Sequence, residues 1–239
     1  MKTRMHIHGC LQKQKYEEKH EGRLLMLTVK NKRVLVIGAH GDDIEMGCGG
    51  SLAKFVQEGA EIRSLVLSLP PSATPAVYTK DVLREEVLTG HCRLGITNVT
   101  IASYQVRIFP SLRQAILERL WALGQEFDPD LVIAHSMSDY HQDHQTVAFE
   151  VFRAFKSKTI LGYSAVHNTR ITNNQLFVEL SKENVENKLA AIDAYHSQRL
   201  VRPMQFSREL SMSILRANGA QVGLPYAEIF DCDRLVMRS

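Results

Sequence analysis

The sequence predicts an α/β protein with a Rossmann-like, open, mostly parallel sheet and helices on both faces. Three observations predict it. Short apolar runs rich in β-branched residues, such as "RVLVIGA" at 33–39, recur along the chain and lack strict alternation, the mark of strands buried on both faces. Helical patterns separate these runs, which is the order of βαβ units. The chain has 239 residues, enough for one large domain whose core buries most of its apolar surface.

Taken in order, residues 33–39 form the first strand. A glycine-rich helix start follows and runs through "SLAKFVQEG", with Gly59 as its stop. "EIRSLVLSL" is the next strand and completes a βαβ unit. "PPSATPA" is a loop beside that strand end. Residues 79–94 read as a helix stopped near Gly95, and "NVTIAS" as a short strand. "SLRQAILERLWAL" puts apolar residues 112, 116, 120 and 123 on one helical face. "DPDLVIAH" gives turn residues and then a strand ending at His135. "HQTVAFEVFRAF" is helical, with Val147, Val151, Ala154 and Phe155 on one stripe. "TILGYS" and "NQLFVEL" are strands. "SKENVENKLAAIDAYHSQ" opens with Ser181 three residues before Asn184 and reads as one long amphipathic helix. A helix near 205–217 and a strand near 226–231 close the chain. Residues 1–22 read as an N-terminal arm and 23–239 as a single domain. His6, His8 and His20 of the arm read as an exposed tail rather than a metal site.

Composition excludes several function classes. A net charge of +3 with scattered basic residues argues against a nucleic-acid or membrane-surface partner. No apolar stretch is long enough to form a transmembrane segment, and the N-terminus lacks a secretory core. Cys10, Cys48, Cys92 and Cys232 form no C-x-x-C pair and no zinc-finger spacing. They read as free thiols of a reducing compartment, which implies a cytoplasmic protein. Cys48 is near enough to the glycine run to be considered as a thiolate ligand, but a packed thiol is the preferred reading.

Two clusters carry chemistry. "VLVIGAHGDDIEMGCGG" at 34–50 places His40, Asp42, Asp43 and Glu45 just past the first strand. "HSMSDYHQDHQTV" at 135–147 places His135, Asp139, His141, Asp143 and His144 just past another strand end. In open α/β sheets ligands sit beyond the carboxyl ends of the strands, so both clusters belong to one edge. Imidazole and carboxylate suit Zn2+, which at catalytic sites keeps three protein ligands and an open position. Fe2+ or another first-row divalent ion suits the same donors. Such an ion brings a bound water to a pKa of about 7. A neighbouring carboxylate can take its proton, and a histidine outside the ligand set can stabilise an oxyanion. Gly47, Gly49 and Gly50 lack the G-x-G-x-x-G spacing of a dinucleotide site. Ser51 and Ser68 lack a nucleophile elbow.

Together the two motifs resemble those of the PIG-L/LmbE-like family of zinc-dependent N-acetylglucosaminyl deacetylases. The family's A-H-P-D-D-x-E is here Ala39-His40-Gly41-Asp42-Asp43-Ile44-Glu45, followed by G-C-G-G. Its H-x-D-H is His141-Gln142-Asp143-His144, preceded by Asp139. "KLAAIDAYHSQ" and "PYAEIF" are similar to downstream family segments, so the resemblance runs from about residue 32 to 231. Gly41 replaces the motif's proline and frees the turn.

The resemblance implies that His40, Asp43 and His144 hold zinc. Asp42 would be the general base, and His141 would stabilise the oxyanion and protonate the leaving amine. Asp143 would orient His141 and raise its pKa, while Glu45 would support the loop. His135 lies outside the family's ligand positions and reads as a loop residue. Asp139 reads equally as a loop cap or a site wall. Arg63, Arg84, Arg107 and the basic stretch "YHSQRLVRP" could meet a substrate anion, or simply form salt bridges and complement helix ends. The activity implied is removal of an N-acetyl group from a small N-acetylated amino sugar or sugar conjugate. The alternatives are a metal-dependent amidohydrolase on a substrate other than N-acetylglucosamine, or a non-catalytic sugar-binding protein on the same fold. Family resemblance also makes a homo-oligomer compatible with the sequence.

Overall fold

The computed structural model describes residues 28–69, 81–165, 167–169 and 173–237. The N-terminal arm and the "PPSATPA" loop lie outside the described residues.

Strands β1 (Arg33–Gly38), β2 (Glu61–Val66), β3 (Asn98–Ile101), β4 (Leu131–His135), β5 (Thr159–Tyr163), β6 (Leu176–Glu179) and β7 (Ala227–Arg234) form one seven-stranded sheet. Their order is β3-β2-β1-β4-β5-β7-β6. The first five run parallel, and β7 pairs antiparallel with both β5 and β6. From β1 the chain winds outward through β2 and β3, then returns to lay β4 on the other side of β1. The gap between the carboxyl ends of β1 and β4 is therefore the topological switch point.

Successive strand residues point to opposite faces, and each face has its own core. Val34 and Val36 pack with Ile44, Leu52, Val87 and Ile192 on one side. Leu35 and Ile37 pack with Ile116, Leu120, Val147 and Val151 on the other. The first core is covered by α1 (Asp43–Gln57), α2 (Val82–Arg93) and α5 (Lys182–Asp193). The second is covered by α3 (Arg113–Phe127) and α4 (Gln142–Ala154). Each such aliphatic side chain contributes about 1.5–3 kcal/mol on burial, so the strand runs stay registered against the helices.

Two boundaries depart from expectation and bear on the site. Helix α1 starts at Asp43, inside the first motif, so Asp43 and Glu45 belong to its first turn. Its Gly47 passes so close to Tyr163 that a Cβ would lie 2.2 Å from the ring; only glycine admits that approach. The expected long helix at 181–198 is two helices, α5 and α6 (His196–Val201), followed by α7 (Arg208–Ala220). The Ser181–Asn184 capping box is present. The break is at Tyr195 (φ −85°, ψ 62°), a fully buried residue. Its hydroxyl lies 2.5 Å from the Gly41 carbonyl oxygen and 2.8 Å from Glu45 Oε1, with one proton to share between the two acceptors. A buried hydroxyl without partners is costly, and this long-range anchoring overrides local helical periodicity.

Candidate metal centre

Each motif loop is shaped by its own backbone donors. In the first, the His40 N–H donates to Asp43 Oδ2 at 2.7 Å, folding the loop over the start of α1. In the second, His141 is the N-cap of α4, and its Nδ1 accepts from the Asp143 N–H at 3.2 Å. The His141 N–H donates to Asp139 Oδ1 at 2.7 Å. The two loops are joined across the switch point by the Ala39 N–H, which donates to His135 Nε2 at 3.0 Å.

The partner on each ring's outer nitrogen sets the state of its inner one. His144 Nδ1 lies 2.9 Å from Asp139 Oδ2, so it carries the proton and leaves the Nε2 lone pair facing inward. His40 Nε2 lies 3.1 Å from Asp143 Oδ2, so its Nδ1 lone pair faces inward. These two lone pairs are 3.2 Å apart. Asp43 closes the triangle, with Oδ2 3.4 Å from His40 Nδ1 and Oδ1 3.4 Å from His144 Nε2. Three ligand atoms thus converge, which is repulsive unless a cation, a proton on His40 or a metal ion, is shared among them. Donors about 2.0–2.1 Å from a tetrahedral zinc lie about 3.3 Å from one another, so the spacing fits a small divalent ion. Two overlapping groups in this cluster could hold a metal ion, His40 with His141 and His144, and Asp43 with His135 and His144.

Electrostatics report the same crowding. Burial lowers the pKa of His40, but Asp43, Asp143 and Asp42 outweigh it and hold the imidazole at about 10. Burial raises that of Asp43, yet the surrounding His144, His135 and His40 keep its carboxyl well below the ordinary range. His144 is raised despite its burial, by Asp43 and Asp139. His135, fully buried and beside His144, falls to about 4.

Asp42 sits at the edge of this cluster, nine-tenths buried, with its Oδ2 2.7 Å from an Arg202 nitrogen. Arg202 also donates to Gln198 Oε1 at 2.6 Å and lies over the Phe206 ring. A cavity of about 230 Å3 opens here, lined by His40, Asp42, His141, Arg107, His167 and Arg202 among others. Arg107 adopts a left-handed backbone (φ 67°), held by its N–H on Asp143 Oδ2 at 2.7 Å. A larger cavity of about 540 Å3 lies at the amino ends of the strands, lined by Leu131, Thr159 and Phe177, far from either motif.

Several expectations change. The Asp143 carboxylate does not orient His141; it holds His40 Nε2 and the backbone N–H groups of Arg107 and Phe109. As the second residue of α4, it projects toward the first loop, and only its own N–H reaches His141. His141 is accordingly not raised: burial, His144 and His40 lower it, and Asp143 and Asp43 only partly oppose them. His135 is no loop residue but the buried end of β4, 3.2 Å from Asp43 Oδ2 and 3.2 Å from the Tyr163 hydroxyl. Cys48 bonds to the Ile44 carbonyl within α1 and is not in the cluster. Arg63 pairs with Glu126 at 2.6 Å on the outer surface. Of the arginines considered, Arg107 and Arg202 reach the cavity. For His135 a signal existed, since it ends the strand that a βαβ winding returns to β1, and Arg202 lay in the basic stretch at 195–203; for Tyr163 the sequence held none.

The model of the family described as PIG-L, GlcNAc-PI de-N-acetylase, matches residues 35–155. Uncharacterized deacetylase YaiS of Escherichia coli (strain K12) is 29% identical over 181 residues, covering 74% of this chain and 97% of that protein. Among solved structures, N,N'-diacetylchitobiose deacetylase from Pyrococcus horikoshii matches with a TM-score of 0.71 at 20% identity, covering 97% of this chain and 94% of that one. GalB, the 4-carboxy-2-hydroxymuconate hydratase from Pseudomonas putida KT2440, also has a TM-score of 0.71, at 19% identity, covering 87% of this chain and 98% of that one. Likenesses this distant show the fold, and a deacetylase and a hydratase share it.

Proposed function

This chain belongs to the PIG-L family, and from that premise we propose that it is a metal-dependent hydrolase that removes an N-acetyl group from an amino sugar or sugar conjugate. The observation that carries the reading is the convergence of His40 Nδ1, the Asp43 carboxylate and His144 Nε2 at 3.2–3.4 Å, a spacing that a shared small cation relieves. Zn2+ is the ion proposed, with Fe2+ as the other candidate. When bound, the ion supplies Lewis acidity, polarising an acyl oxygen and acidifying a water.

The chain's own residues do the rest. Asp42 is the general base. Arg202 holds its Oδ2 at 2.7 Å, which leaves Oδ1 to take the proton of the attacking water. His141 acts as a neutral donor rather than a cation. Its Nδ1 lone pair is engaged by the Asp143 N–H, so the ring proton is on Nε2, available to the oxyanion of the tetrahedral intermediate. Asp42 then returns its proton to the departing nitrogen as the C–N bond breaks, giving acetate and a free amine. Asp143 and Asp139 fix the His40 and His144 rings from behind, the task of carboxylates behind ligating histidines.

The test is an acetate-release screen over N-acetylated monosaccharides, nucleotide sugars and glycolipid headgroups, with and without chelator. Release that chelator abolishes and Zn2+ restores is expected. Asp42→Asn should retain the metal while losing roughly 10²–10⁴-fold in turnover. Chelator-insensitive release, or full turnover in that variant, would overturn the reading.

A further inference from the structure

A glycine precedes the general base, and one turn of the chain reaches both residues. We propose that the turn between α5 and α6 is a clamp for Asp42, with Tyr195 as the positioning residue that fixes the backbone between His40 and Asp42. The inference rests on the deacetylase reading for the role of Asp42.

Gly41 is the loosest link of the first loop. It leaves the backbone there free to turn, where the proline of the PIG-L motif would fix φ. The packing explains the glycine: a Cβ at position 41 would lie 2.9 Å from Val87 Cγ2 of α2 and 3.0 Å from Leu69 Cδ2. Gly41 is buried, so its carbonyl needs a donor. Among the described residues that donor is the Tyr195 hydroxyl, 2.5 Å away. Glu45 Oε1 lies 2.8 Å from the same hydroxyl and 2.7 Å from His91 Nδ1, and His91 Nε2 lies 2.7 Å from Ser64 Oγ. Tyr195, Glu45, His91 and Ser64 are all buried, so this chain of contacts holds the hydroxyl in one place behind the loop.

The same turn grips the base from its other side. Arg202, one residue past α6, donates from one nitrogen to Asp42 Oδ2 at 2.7 Å and to Gln198 Oε1 at 2.6 Å. The turn itself is fastened to α2, because the N–H and hydroxyl of Ser197 donate to the two carboxylate oxygens of Glu86 at 2.7 and 2.6 Å. Ser197, Gln198 and Glu86 are buried. Tyr195 and Arg202 are therefore parts of one anchored segment, which sets the backbone before Asp42 and the Asp42 carboxylate together. Packing alone does not call for both contacts. Aiming a carboxylate does, since its oxygens are placed only when the backbone before it and the side chain itself are both held.

The test is Tyr195→Phe, which keeps the ring and removes the hydroxyl. Zn2+ affinity is read by competition with a chelating dye, and acetate release from N-acetylglucosamine gives kcat and KM. Turnover should fall about 10–100-fold at unchanged KM, since a misplaced base costs rate rather than binding. Zn2+ affinity should fall about tenfold, because His40 adjoins the freed peptide. Stiffening the loop should replace the lost contact. Adding Gly41→Pro, with Val87→Ala to make room, should recover most of both losses, while the urea midpoint, lowered by the cavity at Val87, does not recover. If the proline variant fails to fold, Gly41→Ala on the same background restricts the backbone less and should recover part. Unchanged kcat and affinity in Tyr195→Phe, or losses that neither substitution at Gly41 recovers, overturn the clamp and leave the deacetylase reading standing wherever acetate is released. If the unsubstituted protein releases no acetate, but Zn2+ affinity falls in Tyr195→Phe and recovers with Gly41→Pro, the clamp stands and the deacetylase reading falls.

Discussion

Helix α1 touches two buried polar clusters, one at its first turn and one along its middle. In the middle, Lys188 and Glu228 are each almost fully enclosed, and every charge meets its complement. At the first turn, His40, Asp43 and His144 converge at 3.2–3.4 Å, and their repulsion is relieved only by a shared cation, a proton or a metal ion. The contrast separates glue from a site. A cluster whose donors and acceptors match joins α1 to α5 and β7 and asks for nothing further. A cluster whose acceptors converge, while outer carboxylates hold the protons in place behind it, is arranged for a cation.

That comparison can be broken. The largest effect belongs to His144→Ala, which should take the metal content from about one ion per chain to near zero and abolish acetate release while the fold persists; elemental analysis and circular dichroism would check it. Bound metal at full stoichiometry in that variant would end the distinction. Lys188→Met should do the opposite, leaving the metal site intact but destabilising the chain by about 3–5 kcal/mol, because Glu228 is left charged and enclosed. Urea unfolding measures this, and adding Glu228→Gln should recover part of the loss. Next in size, Asp143→Asn should weaken metal affinity by roughly 10–100-fold, since its carboxylate backs the His40 ring. The earlier expectation, that Asp143 serves His141, predicts instead a turnover defect at unchanged metal affinity, so competition against a chelating dye decides between them.

The smallest effect is in pH. In the metal-free protein His40 is raised from 6.5 to about 10, so its proton stabilises the fold. That contribution is complete below about pH 6.5 and is lost as pH rises toward 10. A bound cation displaces the same proton. Thermal melts of the metal-free protein should therefore decline across this range, and saturating Zn2+ should flatten the decline. A metal-free melting curve with no dependence on pH over this range would argue against the proton-sharing cluster.

Much of the site was legible in the chain because its spacing is local. His40, Asp42 and Asp43 follow a buried strand, and His141, Asp143 and His144 open a helix whose apolar stripe is plain. The winding rule brings both to one edge. His135 was passed over because a strand-terminal histidine has no local signature; its partners, the Ala39 N–H and Tyr163, come from neighbouring strands. The α5–α6 break was invisible for a similar reason, since the periodicity continues through a tyrosine whose hydroxyl is needed 154 residues away.

By itself, the sequence determined the strand and helix order, the two motif loops and the residue types that suit a metal, because these depend on periodicity and on neighbours a few positions apart. Tertiary structure alone decided that Asp143 backs His40, that Arg202 holds Asp42, and that His135 lies in the cluster. Those facts depend on which strands lie side by side and how closely the helices pack over them, and distances across the fold are set by the whole core rather than by any one segment.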